Sequence, residues 1–354
     1  MKRRDFLHGG AAAAILPFCS SLADETEAHK AFSFLVVADT HYHGDLEKPT
    51  KLDPRSRDIT GRLIATLNEL PDRTIPPPLG GGTVRAPAFV IHGGDLIESG
   101  DKAGNPKYRQ LMPLEWAAYQ EDFGIDGGGG ARLRYPVYEV HGNHDSPQSE
   151  GLVIDGIAAR NRSRKNLAGL SESGLFCSWN HGGLHFVTGG ITVARDDVPA
   201  DRQRRYAPRD SLRFIADDLA KNAPSGRPAI IIQHIDIARY SRFPVNLEKM
   251  PDFEWNPDDV HDFHEAIGKY HVLADFHGHT HGTNVTRWNG PDARPDLADG
   301  IRVFNVDNAG HFAGGVQGFF YVEVSPSALI VRELQSKDGW QTSQWTKRWD
   351  EAIV

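Results

Sequence analysis

Short apolar runs that end in polar or ionisable side chains recur along the chain. An uninterrupted apolar run of this length is typical of a buried strand. We predict such strands at 31–38, 86–92, 136–140, 229–232 and 272–276. Further strand-like runs occupy 184–188, 301–306, 317–324 and 328–334.

Helical periodicity appears between these runs. Apolar residues recur at helical spacing over 56–70, and further helices are predicted near 113–123 and over 209–221. Strands that alternate with helices predict an α/β fold, and the strand-rich end of the chain adds a second, more antiparallel sheet.

A single domain over 31–335 accounts for this alternation. The polar and poorly periodic residues 148–182 are predicted to form an insertion or a lid, and 336–354 a C-terminal tail. The chain has 354 residues, of which 39% are apolar and 24% charged, as in an ordinary globular enzyme. No apolar run in its body approaches the ~20 residues that a membrane span needs.

The first residues form a separate segment. Arg3 and Arg4 precede an apolar stretch of small residues at 9–18, and Ala23 ends a segment that resembles a cleavage site. This pattern predicts a bacterial secretory signal over 1–23, and the paired arginines favour export by the twin-arginine machinery to the periplasm or the cell exterior.

Cleavage of that signal would make the chain more acidic. The net charge would change from −8 to about −10, because the signal carries three basic residues and one acidic residue. An acidic body argues against nonspecific binding to nucleic acid, which needs a basic surface. Cys177 would be the one cysteine left, so no disulfide could form within the mature chain.

Five segments at the ends of the predicted strands carry side chains that bind metals. They lie at 39–41, 94–95, 142–145, 233–234 and 278–281 and supply mainly histidine, with aspartate and asparagine. Transition metals of borderline softness favour imidazole, whereas Mg²⁺ and Ca²⁺ prefer oxygen ligands. The composition of the set therefore favours Mn, Fe or Zn.

The order and residue types of these segments resemble the calcineurin-like metallophosphoesterase superfamily over 39–281. The resemblance implies two packed mixed β-sheets flanked by helices, with the ligands at the carboxyl ends of strands. It also implies a centre of two divalent or mixed-valence transition metal ions. By this resemblance the first metal is held by Asp39, His41 and His281, and the second by Asn143, His234 and His279, with Asp95 bridging both.

The resemblance further implies hydrolysis of a small-molecule phosphoester by a hydroxide that bridges the metals. We predict that His144 is the general acid that protonates the leaving group and that Asp145 orients it. His43 and His311 are candidates for substrate contact.

Some motif residues differ from those of known branches of the superfamily, and these differences indicate which branch the chain resembles most. The segment 94–95 is followed by Leu-Ile-Glu instead of Asp-Arg-Gly, which excludes the serine/threonine protein phosphatases. The tyrosine that purple acid phosphatases carry in this block is absent. The pattern is most similar to class III cyclic-nucleotide phosphodiesterases and related small-substrate phosphoesterases. Monoesters, cyclic nucleotides and phospholipid-type diesters stay open as substrates.

Two readings from other classes are compatible with the same ligands. A noncatalytic metal-binding interaction module could share the fold, although every ligand position here is filled. A hydrolase of other esters or amides could also use a binuclear centre, because a metal-activated water is not specific for phosphorus.

Overall fold

The computed structural model describes residues 31–353 except for 129, 198–201, 203, 225 and 242–253. The predicted signal over 1–23 lies outside the described residues and stays a prediction. None of the helices in the described part of the chain is both long and apolar enough to span a membrane.

The strands form two mixed sheets. In chain order they are β1 (Phe32–Val37), β2 (Val90–His92), β3 (Val137–Glu139), β4 (Gly169–Leu170), β5 (Cys177–His181), β6 (Leu184–Thr188), β7 (Ala229–Ile232), β8 (Val272–His277), β9 (Asn284–Trp288), β10 (Ala293–Arg294), β11 (Ile301–Asn305), β12 (Gln317–Val324), β13 (Ala328–Ser336) and β14 (Gln344–Ala352). The six-stranded sheet has the order β14-β13-β12-β1-β2-β3, and the eight-stranded sheet has the order β10-β9-β11-β8-β7-β6-β5-β4.

Helices flank these sheets. They are α1 (Pro54–Asn68), α2 (Pro106–Arg109), α3 (Met112–Asp122), α4 (Leu152–Ser163), α5 (Ser211–Asn222) and α6 (Pro257–Ile267). Asp53 caps α1 by accepting a hydrogen bond from the backbone N–H of Arg55, and Pro54 occupies the first helical position, where its missing N–H costs nothing. The predicted helix over 56–70 is thus confirmed, with its start moved to the cap.

Strand β1 shows why its sequence is apolar without interruption. Phe34 and Val36 belong to a core cluster shared with strands of the second sheet, whereas Leu35 and Val37 pack in a cluster with α1. A strand that is covered on both faces has no polar face to alternate. The predicted architecture of two packed mixed sheets flanked by helices is confirmed.

Two segments differ from the prediction. Residues 148–182 contain α4, β4 and β5 and are built into the fold, with Ile157 and Trp179 buried in its cores. Residues 336–354 contain β14, which pairs antiparallel with β13 at the edge of the six-stranded sheet. An edge strand with polar, partly exposed side chains gives no apolar run, so the pattern does not distinguish it from a tail.

The carboxyl ends of parallel strands bring the five predicted segments together. β1, β2 and β3 are parallel neighbours, and so are β7 and β8 in the other sheet. Parallel neighbours present their carboxyl ends at the same edge. The backbone of His41 also donates to the carbonyl of Asp95 at 3.1 Å, and that of Gly278 donates to the carbonyl of His234 at 3.2 Å.

Gln233 and Asp275 form a buried pair of side chains beside this edge. Gln233 Nε2 donates to Asp275 Oδ1 at 3.0 Å, whereas Gln233 Oε1 and Asp275 Oδ2 have no hydrogen-bond partner among the described residues. Both unpaired atoms are acceptors when Asp275 is ionised, so a proton on Asp275 would supply the missing donor. Burial, together with the charge of Asp236, raises the pKa of Asp275 to about 7.

We expect Asp275→Asn to remove a pH dependence of stability. The folded chain holds the proton of Asp275 more tightly than the unfolded chain does. The protonated side chain therefore contributes to the free energy of unfolding in full below about pH 4, and this contribution is lost as the pH rises through about 7. Between pH 5 and 7 the free energy of unfolding of the variant, relative to that of the unmodified chain, should rise by about 1.4 kcal/mol per pH unit. Urea unfolding at both pH values measures this, with the exposed Asp58→Asn as control. Parallel curves for the two proteins would contradict the assignment.

Candidate metal centre

The predicted ligands sit on turns with unusual backbone angles. Positive φ values occur at five of them: Asp39 (55°), His41 (44°), Asp95 (53°), His279 (75°) and His281 (50°). Left-handed backbone costs a non-glycine residue of order 1–3 kcal/mol and persists where the surroundings fix it, often at functional sites. Alternate residues of an extended chain would point to one side. Instead, β1 and β8 end before the ligand pairs that follow them, and each pair lies on a left-handed turn.

Two glycines of the motifs lie against the carboxylates of predicted ligands. A Cβ at Gly142 would overlap the carboxylate of Asp95, and a Cβ at Gly278 would overlap that of Asp39. Any other residue at either position would push a ligand away. The glycines next to the predicted ligands therefore keep the centre compact.

The first group of ligand atoms contains Asp39, His41 and His281. Their ligand atoms all lie within 4.8 Å of one another. His281 Nε2 is 3.1 Å from His41 Nε2 and 3.4 Å from Asp39 Oδ1. The structure thus brings together the three residues that the resemblance assigned to one metal.

The second group contains Asp95, His234 and His279, whose ligand atoms also lie within 4.8 Å of one another. His234 Nε2 is 3.2 Å from both Asp95 Oδ2 and Asn143 Oδ1. Asp95 Oδ2 is also 3.7 Å from His41 Nε2 in the first group. Asp95 therefore lies between the two groups, as expected of a bridging ligand.

The hydrogen bonds of the rings show that these groups suit a cation. His234 Nδ1 lies 2.7 Å from the carbonyl oxygen of Gly93, which can only accept, so the proton of a neutral ring sits on Nδ1. His41 Nδ1 likewise lies 2.9 Å from Glu98 Oε2. In both rings Nε2 then directs a lone pair at other acceptors in a buried site. Lone pairs that converge in this way need a positive charge between them, so the donor set fits metal ions.

Electrostatics give the same result. Burial opposes a charge on His41, yet hydrogen bonds to Asp39 and Glu98 and the fields of Asp95 and Asp39 raise its pKa to about 10. Burial likewise opposes a charge on His234, whose pKa is raised to about 9 mainly by Asp95. The centre therefore favours positive charge at the points where the ligand atoms converge.

His144 borders the centre, and 27% of its side chain is exposed. Its backbone N–H donates to Asp95 Oδ1 at 2.8 Å, which ties its position to the predicted bridging ligand. Its Nδ1 lies 3.3 Å from the carbonyl oxygen of Glu98 and 3.5 Å from Asp101 Oδ1. The predicted acid thus has acceptors behind one ring nitrogen.

The predicted role of Asp145 needs correction. Its buried carboxylate accepts hydrogen bonds from the backbone N–H groups of Leu96, Ile97 and Gly142 at 2.7–3.1 Å. It joins the second and third motif segments, and the carboxylates near His144 Nδ1 belong to Asp101 at 3.5 Å and Glu98 at 3.6 Å. Adjacency in sequence misled the prediction, because neighbouring side chains on a turn point in different directions.

The two candidate substrate residues lie at different distances from the centre. The ring of His311 is 4.7 Å from that of His41 and 5.0 Å from that of His281, measured between centroids. The ring of His43 instead packs against Phe312 at 5.6 Å. The structure thus places His311 at the metal groups and His43 behind Phe312.

Three carboxylates near the site were missed by the sequence analysis. Glu98 and Asp101 follow Asp95 by three and six residues, and this short spacing was an available signal. Glu254 lies 3.1 Å from His279 Nε2. Nothing in the sequence near Glu254 indicates this contact, because it arises from packing between distant segments.

Comparisons with known proteins agree with this geometry. The family model of calcineurin-like phosphoesterases matches residues 32–283. No curated protein sequence matches the chain significantly.

Two solved structures share the fold. A purple acid phosphatase from yellow lupin (Lupinus luteus) seeds has a TM-score of 0.56 and 14% identity, over 92% of this chain and 54% of that one. A dimetal phosphatase from Danio rerio has a TM-score of 0.51 and 12% identity, over 91% and 99% of the two chains. The present chain thus spans about half the length of the lupin enzyme, and at these identities the likeness concerns the fold alone. Since the family model covers most of the chain, the protein belongs to the calcineurin-like phosphoesterase family.

Proposed function

We propose that the protein hydrolyses small phosphoesters at a centre of two transition metal ions, with His144 as the general acid. The observation that carries this proposal is the pair of ligand groups that meet at Asp95, with His144 held beside them by the same carboxylate. Mn, Fe or Zn ions suit the four imidazoles.

The ligands leave the centre attractive to an anion. Asp39 and Asp95 supply two negative charges, Asn143 is neutral, and the histidines bind as neutral rings. When bound, two such ions would polarise the phosphoryl oxygens and lower the pKa of a water molecule between them. The residues fix where the phosphate binds, and a phosphate ester matches a site of net positive charge.

His144 is positioned to deliver a proton to the leaving group. Glu98 and Asp101 present oxygen acceptors to Nδ1, so a proton on Nδ1 is held and Nε2 can carry the proton to be donated. Partial exposure of the ring leaves Nε2 accessible to a substrate. We infer that Asp101 orients His144, the role first assigned to Asp145.

The test is an activity panel on the chain loaded with Mn²⁺, Zn²⁺ or Fe. It compares p-nitrophenyl phosphate, its bis ester, cyclic nucleotides, sugar phosphates and phospholipid head groups. We expect at least one phosphoester to be hydrolysed. A chelator should abolish this activity, and added metal should restore it. A chain that binds two ions and hydrolyses none of these would support the interaction module, and cleavage of carboxyl esters alone would support the other hydrolase reading.

We also propose that the protein acts outside the cytoplasm, because 1–23 has the pattern of a twin-arginine signal. Cell fractionation and N-terminal sequencing check this. A mature chain that begins near residue 24 outside the cytoplasm is expected, and an uncleaved cytoplasmic chain would refute the proposal.

A further inference from the structure

Glu254 is the polar partner of the metal-group histidine His279. Glu254 Oε2 lies 3.1 Å from His279 Nε2, and the two side chains are only 15% and 12% exposed. Charge-assisted contacts of this length hold a ring in one orientation. The proposed function does not use Glu254.

Four further donors surround the carboxylate of Glu254. Tyr240 Oη lies 3.3 Å and Arg239 Nη1 3.4 Å from Oε2. Tyr206 Oη lies 3.5 Å and Arg205 Nη1 3.8 Å from Oε1. Two guanidinium groups and two phenols thus favour an ionised carboxylate and hold it against the ring.

This contact decides which nitrogen of His279 is left for a metal. A neutral ring that donates Nε2–H to Glu254 has no proton on Nδ1, which then presents a lone pair. A ring nitrogen of His279 belongs to the group whose ligand atoms lie within 4.8 Å of Asp95 and His234. An ionised outer carboxylate also makes the ring a stronger donor.

The first group offers a matching arrangement. His41 has its Nδ1 at 2.9 Å from Glu98 Oε2 and its Nε2 at 3.1 Å from His281 Nε2. In contrast, His234 has a neutral backbone carbonyl as its outer partner. Each ligand group therefore contains one histidine whose outer partner is a glutamate, although the two glutamates are distant in sequence.

We propose that Glu254 is a positioning residue for the second metal: it fixes the tautomer and orientation of His279 and thereby strengthens metal binding by Asp95, Asn143, His234 and His279. The inference rests on the proposed two-metal function. Loss of such an outer partner lowers metal affinity by about 10- to 100-fold.

The experiment isolates the second group. His281→Ala removes a ligand of the first group only, so Co²⁺ titrated into this full-length chain after chelation should bind at the second group. Adding Glu254→Gln should lower the Co²⁺ affinity about 10- to 100-fold and shift the visible Co²⁺ absorption. Glu254→Asp, which keeps the charge, should restore part of the affinity.

Two matched controls use the same substitution. Glu265→Gln changes an exposed residue of α6, and Glu98→Gln changes the outer partner in the other group. Both should leave the second-group affinity within about two-fold, since neither contacts His279. The unfolding midpoint of the metal-free chain is measured for every variant.

Affinity and absorption that do not change with Glu254→Gln would overturn the inference. A loss of affinity matched by an equal loss of stability in the metal-free chain would also overturn it, in favour of a purely structural role. If the unmodified chain binds no Co²⁺, the proposed function itself fails and the inference with it.

Discussion

Asp95→Ala is expected to cost the protein its metal content and nearly all of its activity. Asp95 Oδ2 lies 3.2 Å from His234 Nε2 and 3.7 Å from His41 Nε2, so one carboxylate serves both ligand groups. Its Oδ1 accepts the backbone N–H of His144, so the same change also frees the proposed acid. Bound metal, measured by elemental analysis, should fall from two ions per chain to fewer than one. The value of kcat/KM should fall by about 10³-fold or more.

Asp58→Ala provides the control for this change, because Asp58 is an exposed aspartate on α1. It should keep both ions and full activity. Circular dichroism of the Asp95 variant shows whether the fold survives. An Asp95 variant that keeps two ions and normal turnover would exclude the bridging assignment.

His144→Ala is expected to lose activity in proportion to how poor the leaving group is. General acids contribute about 10²–10⁴-fold where the leaving group needs a proton. An alkyl phosphate should therefore lose rate within that range, whereas p-nitrophenyl phosphate, whose leaving group is stable as an anion, should lose far less. The plot of log kcat/KM against leaving-group pKa becomes steeper in the variant, and bound metal stays at two ions.

The control for His144 is His271→Ala. His271 immediately precedes β8, at the end of that strand opposite to the metal groups. This variant should leave both the rate and the slope of the plot unchanged. An equal loss for every leaving group in His144→Ala would assign His144 to ground-state binding or structure instead.

The local patterns of the sequence were sufficient for much of the fold. Strand β1 is covered on both faces, so burial leaves an uninterrupted apolar run that is visible without a structure. Candidate ligands follow this strand closely in the sequence. Parallel neighbouring strands present their carboxyl ends at the same edge of the sheet, so ligands that follow different strands come together. Strand β14 was not predicted, because its side chains are largely polar and only its pairing with β13 makes it a strand.

The candidate metal ligands were predictable because they follow the ends of these strands. Asp39, Asp95 and His234 each lie two or three residues after the end of a buried strand, so their order in the sequence indicates their position. Their backbone conformation was not predictable, because hydrogen bonds between distant loops hold the left-handed turns. The backbone N–H of Asp39, for example, donates to the carbonyl of Gly94 at 2.9 Å.

The sequence by itself thus determined the family, the fold class and the candidate ligands, all of which depend on short-range patterns and on strand ends. Only the tertiary structure decided which groups the candidate ligands and their neighbours contact. In the folded chain Asp145 accepts hydrogen bonds from three backbone N–H groups, Asp101 lies beside His144, and Glu254 lies beside His279. A hydrogen bond depends on distances of a few ångströms between side chains that can lie far apart in sequence, and only packing sets those distances.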